Sequence, residues 1–239
     1  GGELIGALAR TRPAPDADTP ASATARTLRR LARRHRILTD EITDIDTELR
    51  ALTARAAPTM LATKGYGVIT TAALLVTAGD NPDRIRSEAS FAALCGAAPI
   101  PASSGKTNRH RLNRGGDRQA NWALHQIALV RLSSDPRTKA YAARLTATGK
   151  NCKEILRCLK RAIAREAWHL LTHPQPAPRT DDLRRLRHER GLTLTQAAHH
   201  LNTHPARISE LERGTRPDTT LTAAYRQWLN TQQPQTHTT

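Results

Sequence analysis

The feature that most constrains the fold is a run of residues spaced alternately three and four apart. It comprises Leu28, Leu31, His35, Leu38, Ile42, Ile45, Leu49 and Leu52. This alternation, sustained over more than three heptads, is typical of a coiled-coil helix, because both spacings keep the side chains on one helix face. At 1.5 Å per residue this seam would be about 37 Å long, which is enough to join two subunits. We therefore predict a homo-oligomer.

The sequence leaves the partner of the seam open. In a parallel homodimer Glu41 would face Asp46 of the second helix, and this like-charge pair does not favour a parallel arrangement. An antiparallel pairing or a different partner helix are the alternatives. His35 is interpreted either as a tolerated polar layer or as a residue that sets the register.

The composition predicts an all-α fold. Aromatic residues make up 3% of the 239-residue chain, so a core must be built mainly from Leu, Ile, Val and Ala, and we expect that core to be helical. We predict helices over 70–78, 121–132 and 153–171. Their candidate core residues include Leu124, Ile127, Ala128 and Val130, and then Ile155, Leu159, Ile163 and Trp168.

Clusters of proline divide the chain into segments. The prolines at 13, 15 and 20 and those at 174, 176 and 178 are typical of irregular segments and stiff linkers. We predict an irregular lead-in over 1–20, a coiled-coil helix over 21–57, a second helical domain over 58–172, a Pro-rich linker over 173–179, a third domain over 180–230 and a disordered tail over 231–239.

The charge of the chain indicates a nucleic-acid partner. The 37 Lys and Arg residues against 21 Asp and Glu give a net charge of +16, and this excess suits phosphate backbones. A membrane partner is not expected, because the chain has no apolar run of about 20 residues and no signal-peptide pattern. Cys95, Cys152 and Cys158 lack paired metal-ligand spacing and are predicted to be buried, reduced thiols of a cytoplasmic protein.

The segment 96–118 holds the strongest candidates for chemistry. Two adjacent hydroxyls, Ser103 and Ser104, stand beside Gly105, and a series of cations follows them: Lys106, Arg109, Arg111, Arg114 and Arg118. Such cations can clamp phosphate oxygens while a hydroxyl attacks a phosphodiester. Gly115 and Gly116 would let backbone amides approach the nucleic-acid strand. The alternative is a polar loop with a solvated basic face.

The order of these residues resembles the C-terminal domain of the Piv/MooV (IS-one-ten) family of insertion-sequence transposases. The resemblance covers roughly residues 29–171. It rests on the turn from Gly96 to Pro99, on Ser104-Gly105 and on the run from Arg111 to Gly116, with further matches at Arg118, Asn121, Ala123 and Leu124. Upstream, Lys64-Gly65-Tyr66-Gly67 is similar to the glycine hairpin of the family.

The resemblance implies a role in DNA strand exchange. Ser104 would be the nucleophile, with Ser103 as its rival, and Gly65 and Gly67 would bind phosphate or form a tight turn between helices. The family also uses a preceding ribonuclease-H-like domain, whose carboxylates bind Mg²⁺, and a structured guide RNA. We expect this chain to lack that domain and to hold no metal site and no cofactor of its own. The alternative function is a non-catalytic DNA-binding regulator.

A second resemblance covers residues 192–214, which are similar to the helix-turn-helix of Cro and phage repressors (Xre-like). Thr193 and Gln196 form a predicted capping box, and the recognition helix would begin near His204-Pro205. The residues expected to face the major groove are His204, Ala206, Arg207 and Glu210. A helical hairpin that only packs against a neighbour is the alternative.

Overall fold

The computed structural model describes residues 1–12, 19–80, 85–101, 110, 111, 113, 115–174, 176 and 178–232. The chain forms two compact units, Gly1–Leu52 and Thr53–Thr239. No helix in these residues is both long enough and apolar enough to cross a lipid bilayer.

The first unit contains helix α1, Gly2–Arg10, and most of helix α2, Pro20–Ala56, which continues into the second unit. The predicted irregular lead-in over 1–20 is therefore wrong for its first half. Leu4, Ile5 and Leu8 have helical spacing, and the first proline comes only at Pro13. The predicted long helix over 21–57 is present.

Helix α2 has 37 residues and leaves most of its seam exposed within the chain. Leu31, Ile42 and Ile45 are 59%, 59% and 61% exposed. A monomeric soluble protein rarely leaves a continuous apolar stripe of this kind in water. The helix that the heptads predicted is thus present, while the coiled coil itself remains a prediction about assembly.

The second unit is helical, with one short strand pair. Its described helices are α3 Pro58–Leu61, α4 Val68–Ala78, α5 Glu88–Leu94, α6 Arg118–Ser134, α7 Pro136–Ala147, α8 Cys152–Thr172, α9 Leu183–Glu189, α10 Leu194–His200, α11 Pro205–Glu212 and α12 Thr219–Thr231. Its strands are β1 Ile100–Pro101 and β2 His110–Arg111. The strands pair antiparallel, with Ile100 opposite Arg111 and Pro101 opposite His110. The all-α prediction is confirmed apart from this pair.

The larger core of the second unit is built around α6, which packs against α4, α7 and α8. Leu124 and Ile127 are fully buried, as predicted, and Ile163 of α8 packs in the same core. Val130 was expected to be buried but is 46% exposed, because it points away from this core. Trp168 is half-buried, and its indole N–H donates to the carbonyl of Ile85 at 2.6 Å.

The smaller core belongs to helices α9–α12. It joins Leu183, Ala197, Ala198, Ile208, Leu211, Tyr225 and Leu229, with Leu186, Leu201 and Trp228 packed against it. The capping box is present, because the side chains of Thr193 and Gln196 each accept a hydrogen bond from the backbone N–H of the other. The backbone N–H of Thr219 also donates to the carbonyl of Ala62 at 2.8 Å, which ties the start of α12 to the end of α3.

The three cysteines differ in their surroundings. All three are free thiols, but Cys95 is buried, Cys158 is half-buried and Cys152 is exposed. The prediction that all three are buried is wrong for Cys152, which is the first residue of α8. Burial raises the pKa of the Cys95 thiol to about 12.

Candidate nucleic-acid interface

A basic cavity of about 490 Å³ lies in the second unit, between the turn after α5, the strand β2 and helices α7 and α8. Six cationic side chains line it: Arg111, Lys150, Arg157, Lys160, Arg161 and Arg165. Among the described lining residues Glu154 is the single acid, and Tyr141 is the single aromatic side chain apart from His110. This excess of cations suits an anionic ligand.

The described parts of the segment 96–118 contribute to this cavity through residues 96–99, His110, Arg111 and Asn113, but five of the predicted site residues lie outside the described residues. Those predicted site residues are Ser103, Ser104, Lys106, Arg109 and Arg114. Arg111 is described, is exposed on β2 and lines the cavity. Arg118 is exposed at the first position of α6 and does not line it.

Glycine allows the segment at Gly116 to pass close to the backbone of the turn after α5, which lines the cavity. Gly116 has a φ of +89°, and a Cβ there would lie 2.5 Å from the backbone nitrogen of Gly96 and 2.7 Å from the carbonyl oxygen of Leu94. The backbone N–H of Asp117 donates to that same carbonyl at 2.6 Å. The N–H of Gly115 is already bonded to Asn113 Oδ1 at 2.9 Å. The Gly115 N–H is therefore already bonded within the chain and Gly116 serves the close crossing, while the approach of these amides to a nucleic-acid strand stays a prediction.

Asn121 connects this crossing to the cavity. Its side-chain nitrogen donates to the carbonyl oxygens of Cys95 at 2.9 Å and Gly96 at 3.2 Å. Its side-chain oxygen accepts a hydrogen bond from Lys160 Nζ. Burial lowers the pKa of the Lys160 ammonium from its usual value. Lys160 is half-buried, and α8 presents it to the cavity.

Two of the arginines on the same helix interact with α5. Arg165 Nε lies 2.7 Å from Glu88 Oε2, and His169 Nε2 lies 2.7 Å from Glu88 Oε1. Hydrogen bonds from Arg165 and His169 hold the pKa of Glu88 below its usual value. Arg161 donates to the backbone carbonyl of Glu88 at 3.4 Å. These contacts position two cations at the edge of the cavity.

The glycine hairpin between α3 and α4 is held by Arg131. At Gly65, φ is +94°, and a Cβ would lie 3.0 Å from the Arg131 side chain. Arg131 Nε donates to the carbonyl of Lys64 at 2.8 Å, and its guanidinium binds both oxygens of Glu166 at 2.6 and 2.8 Å. The backbone N–H of Gly67 donates to Thr70 Oγ1 at 2.9 Å. The tight-turn interpretation is thus supported, whereas phosphate binding by Gly65 and Gly67 stays a prediction.

The recognition helix of the C-terminal domain is α11, with His204 as its N-cap and Pro205 at its first position, as predicted. His204 and Ala206 are exposed, and Glu210 is partly exposed. Arg207 instead lies 3.2 Å from Asp218 Oδ2 and donates to the carbonyl of Arg216 at 2.7 Å. Arg207 therefore links α11 to the start of α12, and a contact with a base would require it to leave these partners.

A buried ion pair joins α9 to the end of α11. Arg187 binds Glu212 through two hydrogen bonds of 2.7 and 3.0 Å, and the hydroxyl of Tyr225 donates to Glu212 at 2.7 Å. The side chains of Arg187 and Glu212 are 7% and 3% exposed. The sequence analysis missed this pair. The sequence pattern that could have indicated it is a charged residue, Arg187, at a core-facing helical position four residues after Leu183.

A metal site is not formed by the described side chains, since no group of three or more His, Cys, Asp or Glu among them is arranged to hold an ion.

Two segments of the second unit match known protein families. Residues 57–143 match the sequence profile of the family described as "Transposase IS116/IS110/IS902 family". Residues 181–234 match the profile of a "Helix-turn-helix domain".

Two curated relatives are proteins of insertion elements. The chain is 29% identical over 199 residues to the insertion element IS900 uncharacterized 42 kDa protein of Mycobacterium paratuberculosis, and this alignment covers 73% of the chain and 50% of the relative. It is 32% identical over 134 residues to the insertion element IS110 uncharacterized 43.6 kDa protein of Streptomyces coelicolor, covering 52% of the chain and 33% of the relative. The chain thus spans half or less of these relatives. It contains a segment that matches the IS116/IS110/IS902 transposase family, followed by a segment that matches helix-turn-helix domains.

Proposed function

We propose that this chain binds DNA and takes part in strand exchange during transposition, with Ser104 as the attacking hydroxyl and Ser103 as its rival. The observation that carries the proposal is the cavity with six described cations. The strands β1 and β2, which flank the serine segment in sequence, pair with each other, and β2 lines that cavity. The family of the domain at 57–143 supports the same function.

The proposed chemistry is attack on a phosphodiester. A bond forms between the serine Oγ and phosphorus, and the bond from phosphorus to one sugar oxygen breaks. The serine proton passes to an acceptor such as water, and the departing sugar oxygen takes up a proton from water and leaves as a hydroxyl. The negative charge that grows on the phosphoryl oxygens needs cations around it. Arg111, Arg157 and Lys160 are among the described side chains that could supply this charge, since they line the cavity. The described residues do not supply a ligand set for Mg²⁺, and we assign no step to a metal in this chain.

The helix-turn-helix domain would add a second DNA contact through α11. Support comes from the match at 181–234 and from the exposure of His204 and Ala206. Ala206→Asp would place a negative charge on this face and should weaken binding to duplex DNA several-fold. Ala223→Asp on exposed α12 is the matched control. Equal effects of both variants would contradict a groove contact by α11.

The partners proposed with this function are a second copy of the chain and an RNA. The seam of α2 supports self-association, because Leu31, Ile42 and Ile45 are exposed. A structured guide RNA is supported only by the net charge of +16 and the basic cavity.

The decisive experiment traps the covalent intermediate. The chain would be joined to a ribonuclease-H-like domain of the family and incubated with a nicked DNA substrate, and protein–DNA adducts would be separated on denaturing gels. Ser104→Ala should abolish the adduct, whereas Ser103→Ala should retain it. Ser133→Ala, an exposed serine of α6 outside the cavity, is the control.

An adduct that survives in Ser104→Ala and disappears in Ser103→Ala would move the attack to the neighbouring hydroxyl. An adduct that survives in both variants would contradict serine attack by this segment. Stable DNA binding without any adduct in the unmodified protein would favour the non-catalytic regulator.

A further inference from the structure

Lys160 differs from the other cations of the cavity in its surroundings. It is half-buried, and its hydrogen-bond partner among the described residues is the neutral amide of Asn121. Arg165 has Glu88 as a partner, and Arg157 lies 3.9 Å from Glu154. Within the described part of the chain, no carboxylate lies within ion-pairing distance of Lys160, and burial alone accounts for its lowered pKa.

Even partial burial of an ammonium without a counterion is unfavourable in the unliganded protein. Such a group is retained more readily where a ligand supplies the missing negative charge. The ammonium carries three N–H donors and uses one of them for Asn121. Two donors therefore stay available to an anion in the cavity that Lys160 lines.

Asn121 determines where the ammonium lies. Both protons of its amide nitrogen point toward the carbonyls of Cys95 and Gly96, so its oxygen must face Lys160. These carbonyls belong to the turn that Gly116 crosses at close range. The position of Lys160 is thus set by a closely packed backbone turn.

We propose that Lys160, positioned by Asn121, binds a phosphate of a single nucleic-acid strand in the basic cavity. This inference rests on the proposed function and adds a subsite to it. The volume of about 490 Å³ lies in the range of pockets for small ligands and holds a few nucleotides at most. A single strand can enter such a pocket, whereas an intact duplex is too wide.

The test measures the affinity of the full chain for a fluorescently labelled 12-nucleotide single-stranded DNA, by anisotropy, from 50 to 300 mM NaCl. Lys160→Met should weaken binding about tenfold, since a hydrogen bond to a charged group is lost. It should also make the slope of log K against log[NaCl] shallower by about 0.7, which corresponds to one phosphate contact on a single strand. Lys160→Arg should keep that slope.

The matched control is Lys153→Met, which removes an exposed lysine of α8 that does not line the cavity. It should change the affinity less than about twofold. The thermal midpoint of Lys160→Met should equal or exceed that of the unmodified chain, because an uncompensated buried charge is removed. A loss of binding with unchanged stability separates phosphate binding from a structural role.

Asn121→Asp tests the positioning role. A carboxylate at this place would pair with Lys160 and compete with the phosphate, so the salt slope should fall as it does in Lys160→Met. Combined with Lys160→Met it should add no further change to the slope. An Asn121→Asp chain with reduced stability and an unchanged slope would overturn the positioning role.

Two results would overturn the inference in distinguishable ways. If Arg111→Ala and Arg157→Ala weaken binding while Lys160→Met does not, the cavity binds nucleic acid and Lys160 is not its phosphate contact. If all three variants bind like the unmodified chain, the cavity itself is not the interface, and the proposed function loses its main support.

Discussion

The buried ion pair behind the recognition helix provides a sharp test of what holds the helix-turn-helix domain together. Arg187→Met removes the guanidinium from a site where both side chains are less than one-tenth exposed. Glu212 would keep the hydroxyl of Tyr225 as a partner but lose two charged hydrogen bonds, and Leu192 would lose the donor to its carbonyl at 2.9 Å.

The expected cost is about 3–5 kcal/mol, because an uncompensated carboxylate would stay buried. At 1.4 kcal/mol per tenfold change in an equilibrium constant, this is a factor of roughly 10² to 4 × 10³. Hydrogen exchange followed by mass spectrometry measures it locally. Protection of peptides from α10 and α11 should fall by this factor, while peptides from α6 should keep their protection, since α6 belongs to the other core.

Arg185→Met is the matched control, because it makes the same substitution on the same helix. Arg185 pairs with Glu189 at 2.6 Å, but these side chains are 68% and 45% exposed, so the loss should stay below about 0.5 kcal/mol. A double variant, Arg187→Met with Glu212→Leu, should recover much of the lost protection. If Arg187→Met costs no more than Arg185→Met, burial of the charge does not account for the stability of this domain.

Three further results are expected. Gly116→Ala should lower the thermal midpoint of the larger core by several degrees, because its Cβ would lie 2.5 Å from the backbone nitrogen of Gly96. Gly149→Ala is the control: its φ is +82° but its Cβ would meet open space, so it should reduce stability by only about 1 kcal/mol. Equal shifts in the two variants would contradict the close crossing. Burial raises the pKa of Asp135 but hydrogen bonds from Thr138 outweigh it, so the net pKa is lowered. The carboxylate of Asp135 therefore contributes fully to stability above its unfolded-state pKa of about 3.9, and this contribution is lost as the pH falls through the lower folded-state pKa. Asp135→Ala should lower the free energy of unfolding by about 1 kcal/mol at pH 7, and the difference should disappear in acid unfolding curves. A difference that persists at pH 2 would exclude this linkage. Ile42→Lys should convert an oligomer to monomer in light scattering, and a protein that is already monomeric would rule out assembly through the seam of α2.

Much of the helical structure could be predicted from local patterns. The heptads predicted the long helix α2, and Thr193 with Gln196 marked the start of α10, because caps and periodicity act within a few residues of the chain. The helix at Gly2–Arg10 was missed, because the later prolines were given more weight than its apolar spacing.

The candidate site was predicted only in part. The sequence indicated the cations after Ser104, and of these Arg111 lines the cavity, while its role in phosphate binding stays a prediction. It did not indicate that Arg157 and Lys160 of α8, together with Lys150 just before that helix, would line the same cavity, since an amphipathic pattern does not say what a polar side chain will face.

Local chemistry along the chain was thus sufficient to establish the helical class, the caps and the excess of positive charge. The long-range contacts arose only when the helices packed. Asn121 meets Lys160 across 39 residues, Gly116 crosses Gly96, and Arg187 pairs with Glu212 across 25 residues. The physical reason is that a buried charge or a close backbone crossing depends on what the rest of the chain places beside it, and burial and partner are properties of the packed protein rather than of any sequence window.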